Sequence, residues 1–121
     1  DHVRKFTPQA NIIYNLSSDG WSKSLAEHQL NFMVNVFRAV ENRLYVVRVS
    51  DNGISAVITP RGQVRTKIPA FQQGVLIATV PLLRSGTIYT RYGDVFPVLL
   101  GIYLLLESIS LLIKRRSKPK Y

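Results

Sequence analysis

The sequence predicts an α+β domain followed by one membrane-spanning helix, and three observations support this prediction. An apolar helical pattern at 24–43 lies between short segments that are rich in β-branched and aromatic residues. A second apolar run, at 95–113, differs in character because Glu107 is its only charged residue. Basic residues follow that run directly, which is typical of the cytoplasmic flank of a membrane helix.

The globular part begins with a predicted strand at 11–18. Ile12, Ile13 and Tyr14 supply its β-branched and aromatic content, and a Ser-Ser-Asp-Gly turn ends it. Further strands are predicted, between turns that contain Gly or Pro, at 44–50, 54–59, 63–68 and 75–80. A helix followed by several short strands indicates an α+β fold or half of an α/β sandwich.

Residues 24–43 are predicted to form a helix with one apolar face, because apolar residues recur every three or four positions. That face comprises Leu25, Leu30, Met33, Val34, Phe37 and either Val36 or Val40. Asn31 and Asn35 are expected mainly on other faces. Ser24 and Glu27 have the spacing of a capping box at the start of the helix.

The run at 95–113 is long enough to cross a bilayer as a helix. Its length is about 28 Å at 1.5 Å per residue, against a hydrocarbon core of about 30 Å. Tyr89, Tyr92 and Phe96 suit the headgroup level, and the basic residues place the C-terminus in the cytoplasm. A soluble amphipathic helix is the alternative. Glu107 either faces neighbouring helices, snorkels or is neutral, or it is a functional intramembrane carboxylate.

Composition excludes several kinds of chemistry. The net charge is +9, but five of the basic residues lie in the last eight positions, beside the apolar run, so no nucleic-acid binding is expected. Cys is absent. His2 and His28 have no metal-ligand spacing, so neither is expected to bind a metal. Residues 17–19 form a turn rather than a catalytic pair, since no His is placed to act as a base.

Taken in order, the segments resemble the C-terminal half of a nitrilase-superfamily domain, and within it the apolipoprotein N-acyltransferases. The resemblance rests on the loop SSDGW, a helix ending in RAVEN, the segment NGISAVITPRGQV followed by IPAF and GVL, and TIYTRYGD leading into the apolar run. It covers nearly the whole chain.

This resemblance implies a specific fold and topology. The chain would be the C-terminal half of a nitrilase-type α-β-β-α sandwich followed by one transmembrane helix. Its regions would be a partial carbon-nitrogen hydrolase domain on the periplasmic side of the bacterial inner membrane, a juxtamembrane linker, a transmembrane helix and a basic cytoplasmic tail, at 1–80, 81–94, 95–113 and 114–121.

The resemblance also implies an activity. Members of this family transfer an acyl chain from a phospholipid to the N-terminal amine of diacylglyceryl-cysteine in apolipoproteins, using a Cys nucleophile, a Glu base and a Lys, without a cofactor or metal. This chain begins at Asp1 rather than Met and has no Cys, so we expect a fragment whose nucleophile lies shortly before Asp1. None of its own residues is expected to be catalytic, and alone it should be inactive.

The residues of this chain that the resemblance places beside the active site are Asn15, Ser18, Asp19 and Trp21. A purely structural loop explains them equally well. The chain departs from the family pattern at Ser22-Lys23, where Phe-Gly usually follows the Trp, and at Asn31, which replaces a His.

Two other functions remain open at this stage. One is a membrane-anchored nitrilase-type amidase or acyltransferase of different specificity. The other is a single-pass membrane protein that acts as a binding or assembly module without catalysis.

Overall fold

The computed structural model describes residues 2–84 and 86–116 of the chain. These residues divide into two compact units, Asp1–Arg91 and Tyr92–Tyr121, which are considered separately. The first unit holds a mixed sheet and its helices, so the predicted α+β class is confirmed. Its elements are α1 (His2–Phe6), a 3-10 turn (Thr7–Gln9), β1 (Ile12–Ser17), α2 (Leu25–Asn42), β2 (Tyr45–Ser50), β3 (Ser55–Ile58) and β4 (Val64–Ile68).

The sheet has four strands in the order β1-β2-β3-β4. β1 and β2 are parallel, with Asn15 opposite Arg48 and Ser17 opposite Ser50, and α2 provides the crossover that a parallel pair requires. β2, β3 and β4 follow as an antiparallel meander. The parallel pairing brings the carboxyl ends of β1 and β2 to the same edge of the sheet.

The core lies between α2 and one face of the sheet. It is built from Phe32, Ala39, Val46, Ala56 and Ile58. Alternation along β2 places Val46 and Arg48 on this buried side and leaves Val49 half exposed on the other. Burial of each large apolar side chain in this layer contributes about 1.5–3 kcal/mol.

The helix predicted at 24–43 is confirmed, but the prediction of which face is buried is wrong. Leu30, Met33, Val34 and Phe37 are exposed, whereas His28, Asn35 and Asn42 are buried. The asparagines tolerate burial because their amides find partners nearby. Asn35 Nδ2 donates to the Asn31 carbonyl at 3.0 Å, and Asn42 Nδ2 donates to the Arg38 carbonyl at 2.9 Å.

The predicted capping box is also wrong in its residues. Ser24 occupies the N-cap position of α2 but makes no side-chain capping bond. Instead, the Ser22 hydroxyl bonds the Glu27 carboxylate and accepts a hydrogen bond from the Ser24 amide at 3.0 Å. A turn precedes the helix. Ser22, two positions before Ser24, therefore reaches the N-terminal end of α2.

The strand predicted at 75–80 is wrong. Residues 74–84 have no regular secondary structure, and Val75 and Ile77 are 86% and 94% exposed. Alternate residues of the segment, from Gly74 to Val80, line a cavity of about 240 Å³ together with residues of the sheet face. The segment therefore lies against a face of the sheet rather than beside an edge strand. The Arg65 guanidinium donates a hydrogen bond to the Thr79 carbonyl at 2.8 Å.

Two short helical elements were not predicted, α1 and α3 (Ile88–Tyr92). The second unit contains α4 (Val95–Arg116), whose side chains up to Leu111 are largely exposed. Across the residues that the structure describes, none of the helices is both long and apolar enough to cross a membrane. The structure therefore shows the predicted helix but not a membrane span. Residues 117–121 of the predicted basic tail lie outside the described residues.

Candidate functional site

A polar network lies at the carboxyl ends of the parallel strands β1 and β2. Chains that leave a sheet at this position commonly build ligand sites, because loops from adjacent parallel strands meet there. Here the two loops are 17–21 and 51–54, and an arginine in β2 joins them.

Asp19 is the centre of this network and is only 2% exposed. Its carboxylate accepts hydrogen bonds from the hydroxyls of Ser17, at 3.0 Å, and Ser50, at 2.8 Å. Asn31 Nδ2 lies 3.3 Å from the same group, and a guanidinium nitrogen of Arg48 lies 2.5 Å from it. The carboxylate is thus ionised, paired and supported from β1, α2 and β2 at once.

The Arg48 guanidinium uses all three of its nitrogens. Nε donates to the Ile54 carbonyl at 3.1 Å, and one terminal nitrogen donates to Asn15 Oδ1 at 2.9 Å. The other terminal nitrogen faces Asp19 and Ser17. A buried ion pair is tolerable only when its remaining donors and acceptors are satisfied in this way. Arg48 therefore fixes the two loops relative to the strand between them.

The environment lowers the pKa of Asp19. Burial by itself raises the pKa, but hydrogen bonds from Ser50 and Ser17 and the positive charge of Arg48 together outweigh that effect. The network therefore holds Asp19 as a carboxylate at neutral pH.

Asp51 extends the network to the surface. Its exposed carboxylate accepts hydrogen bonds from the Asp19 amide and its neighbour Asn52, both at 2.8 Å, and from the Ser18 hydroxyl at 2.9 Å. The bond from the Asp19 amide is the main cause that lowers the pKa of Asp51, with Ser18 and Asn52 adding to it. The loop thus presents an ionised carboxylate to solvent.

Position 53 requires a glycine, because the two loops lie too close together for a side chain. A Cβ atom at this position would lie 2.6 Å from Ser50 Oγ and closer still to an oxygen of Asp19. Its own amide donates to Ser50 Oγ at 3.0 Å. Any side chain here would push Asp19 away from its partners.

Three of the four residues proposed from the sequence enter this network, namely Asn15, Ser18 and Asp19. The fourth, Trp21, is 71% exposed. No observation tests whether they line an active site, so that role stays a prediction. Arg48 was not predicted as a site residue, although its place in the apolar run LYVVRVS was a signal. Alternation puts it on the same face as Val46, where a charged side chain needs a buried partner.

His28 lies in the first turn of α2 and is fully buried. Within residues 2–84 and 86–116, no group of three or more His, Cys, Asp or Glu side chains could hold a metal ion.

A family model for carbon-nitrogen hydrolases matches residues 4–89, and the chain therefore belongs to the carbon-nitrogen hydrolase family. Within that family it is similar to apolipoprotein N-acyltransferases. It is 39% identical to one from Treponema denticola over 88% of the chain, and 36% identical to one from Borreliella burgdorferi over 85%. It is 41% identical to one from Geobacter metallireducens over 72% of the chain. The resemblance read from the sequence motifs is confirmed.

The chain covers 20%, 20% and 17% of the lengths of these three relatives. It thus spans about a fifth of the curated proteins that it matches.

We predict that Asp19→Asn destabilises the full chain by about 3–5 kcal/mol at pH 7, because Arg48 is left buried without its counter-charge. The pKa of Asp19 is lowered in the folded state, so its contribution is complete above the ordinary value of 3.8 and is lost as pH falls through the lower folded value. Urea unfolding in detergent at several pH values measures both effects.

The difference in stability between the wild type and Asp19→Asn should therefore be constant near neutral pH and shrink below about pH 4, near the ordinary Asp pKa. Glu41→Gln is the control, because Glu41 pairs with Arg38 at the surface and such pairs contribute about 1 kcal/mol or less. A loss no larger than that of Glu41→Gln would contradict the central role of Asp19.

We predict that Gly53→Ala destabilises the full chain by about 1–3 kcal/mol, the usual cost of overpacking. Gly86→Ala is the matched control, because a Cβ there would meet nothing within 4 Å. Thermal unfolding followed by circular dichroism compares the two. Equal melting temperatures for both variants would show that the loops are not closely packed in solution.

Proposed function

We propose that this chain forms the C-terminal part of an enzyme that acylates the N-terminal amine of diacylglyceryl-cysteine in apolipoproteins, with a phospholipid as acyl donor. The observation that supports this proposal is the 36–41% identity to proteins named apolipoprotein N-acyltransferase over most of the chain. The order of the sequence motifs supports it independently.

The nucleophile of this reaction comes from outside the 121 residues, because the chain contains no Cys. The Cys thiolate attacks the phospholipid acyl ester and releases the lysophospholipid to form a thioester, and the amine then displaces the thiolate, so that one difficult transfer becomes two easier ones. The Glu base and the Lys that the resemblance implies also lie elsewhere. The contribution of this chain is to hold the loops that flank the reacting groups.

The polar network supports this positional role. Asn15 and Asp19 are fixed by the Arg48 guanidinium, and Ser18 is fixed by Asp51. A site held on strand ends by a buried, fully bonded network keeps its geometry better than a free loop. Trp21, at the exposed end of the loop 17–21, is available to contact the acyl chain or the headgroup.

The globular part lies in the periplasm, and the helix at 95–113 enters the inner membrane with its C-terminus in the cytoplasm. Support comes from apolar side chains exposed around α4, among them Phe96, Leu99, Leu105 and Leu111. The basic residues that follow in the sequence agree with this orientation. The helix carries one acidic residue, Glu107.

The activity is tested with the product of the complete gene that encodes this chain, expressed in bacteria depleted of their own N-acyltransferase. We expect the complete product to acylate a diacylated lipopeptide on its N-terminal amine, detected by mass spectrometry. Residues 1–121 expressed alone should give no product, since they lack the nucleophile. Failure of the complete product to acylate the lipopeptide, or turnover by 1–121 alone, would contradict the proposal.

The membrane location is tested by carbonate extraction of bacterial membranes. We expect the full chain to stay in the membrane fraction, and Leu104→Arg to weaken its insertion, because a central Arg costs about 2.5–3.5 kcal/mol on insertion scales. Leu104→Ile is the matched control and should behave as the wild type. Release of the wild-type chain by carbonate would rule out the span.

A further inference from the structure

His28 is the least satisfied buried side chain among the described residues. It is 0% exposed, and neither Nδ1 nor Nε2 has a hydrogen-bond partner in the described part of the chain. A buried polar group without a partner is destabilising relative to a satisfied one. A Leu at this position would avoid that cost, so a purely structural role does not explain a histidine.

Phe71 covers His28. The two rings meet edge to face, with centroids 4.9 Å apart and planes at 75°. Phe71 has a left-handed backbone, with φ of 64°, which is unfavourable for a residue that is not glycine. It is also 54% exposed. The cover is therefore strained and open to solvent on its outer side.

One hydrogen bond ties this cover to the polar network. The Phe71 amide donates to the Asn52 carbonyl at 2.9 Å, and Asn52 lies between Asp51 and Gly53 in the loop that contacts Asp19. His28 also precedes Asn31, which bonds Asp19, by about one helical turn. These two connections place His28 at the end of α2 that borders the network.

We propose that His28 binds the acceptor amine when Phe71 swings aside, an inference that rests on the proposed acyl transfer. A neutral imidazole has one bare nitrogen that accepts a hydrogen bond from an amine N–H and one N–H that donates. An amine is favoured over the lipid phosphate because the loop bonded to Phe71 carries the exposed Asp51 carboxylate, and the residue that precedes His28 in the sequence is Glu27. His28 orients the amine for attack on the thioester.

The strain at Phe71 makes the opening easier. A left-handed backbone is unfavourable for a residue other than glycine, and this cost is recovered when the residue relaxes. The satisfaction of His28 by the amine recovers part of the cost of its unpaired nitrogens. Binding of the acceptor is therefore favoured in two ways: the Phe71 backbone relaxes, and the ring nitrogens of His28 gain a partner.

The decisive experiment compares wild type and His28→Leu in the complete gene product and measures the two half-reactions separately. We expect the thioester to form from a phospholipid at the wild-type rate, and its transfer to a diacylated lipopeptide to fall about tenfold, the value of one lost hydrogen bond. KM for the lipopeptide should rise. The unfolding midpoint of His28→Leu should equal or exceed that of the wild type.

Two variants separate binding from folding. His28→Gln keeps a hydrogen-bonding side chain and should recover part of the transfer rate. Phe32→Leu alters the same helix within the apolar core, so it should lower stability and leave the ratio of the two half-reactions unchanged. Equal slowing of both half-reactions by His28→Leu, or no change in either, would overturn the proposal. A wild-type product that forms no thioester would instead overturn the proposed function.

The cover is tested by reaction of His28 with diethyl pyrocarbonate, followed by mass spectrometry of its peptide. Phe71→Gly removes the ring and suits the left-handed backbone, so carbethoxylation should be faster than in the wild type. The diacylated lipopeptide should protect His28 in both proteins. An unchanged rate in Phe71→Gly, or no protection by the lipopeptide, would overturn the proposal.

Discussion

The buried ion pair between Arg48 and Asp19 determines how the carboxyl-end loops of this domain are arranged. Removing two charges from water is costly, and a single contact between them does not recover that cost. Here the guanidinium also bonds Asn15 and the Ile54 carbonyl, and the carboxylate also bonds two serines. Because each group depends on the others, the loops 17–21 and 51–54 cannot shift independently.

This dependence explains why the surrounding residues are small or polar. Gly53 leaves room for the carboxylate, and Ser50 bonds both the carboxylate and the Gly53 amide. Asp51 then continues the network outward and bonds the Asp19 amide. A rigid, charged centre and an accessible rim thus arise from neighbouring residues of two strands.

Most elements were predictable from the sequence because their signals are local. The turns after β1 and β2 were evident from Asp-Gly and Asn-Gly, and the helix from its period. The inward face of α2 was not predictable from period alone. Asn35 and Asn42 each donate to a carbonyl of their own helix, and the side-chain oxygen of Asn42 also accepts a hydrogen bond from the Thr7 hydroxyl, so both amides are satisfied in the core. The partner of Arg48 was likewise unpredictable, since Asp19 is distant in sequence and is brought close only by the parallel pairing.

The two outer strands of the sheet differ in how they are protected. β4 carries the charged side chains Arg65 and Lys67, which discourage addition of a further strand. β1, at the opposite edge, is made of apolar and uncharged polar residues over Ile12–Ser17. Among the described residues, the β1 edge is therefore more open to a further strand than the β4 edge.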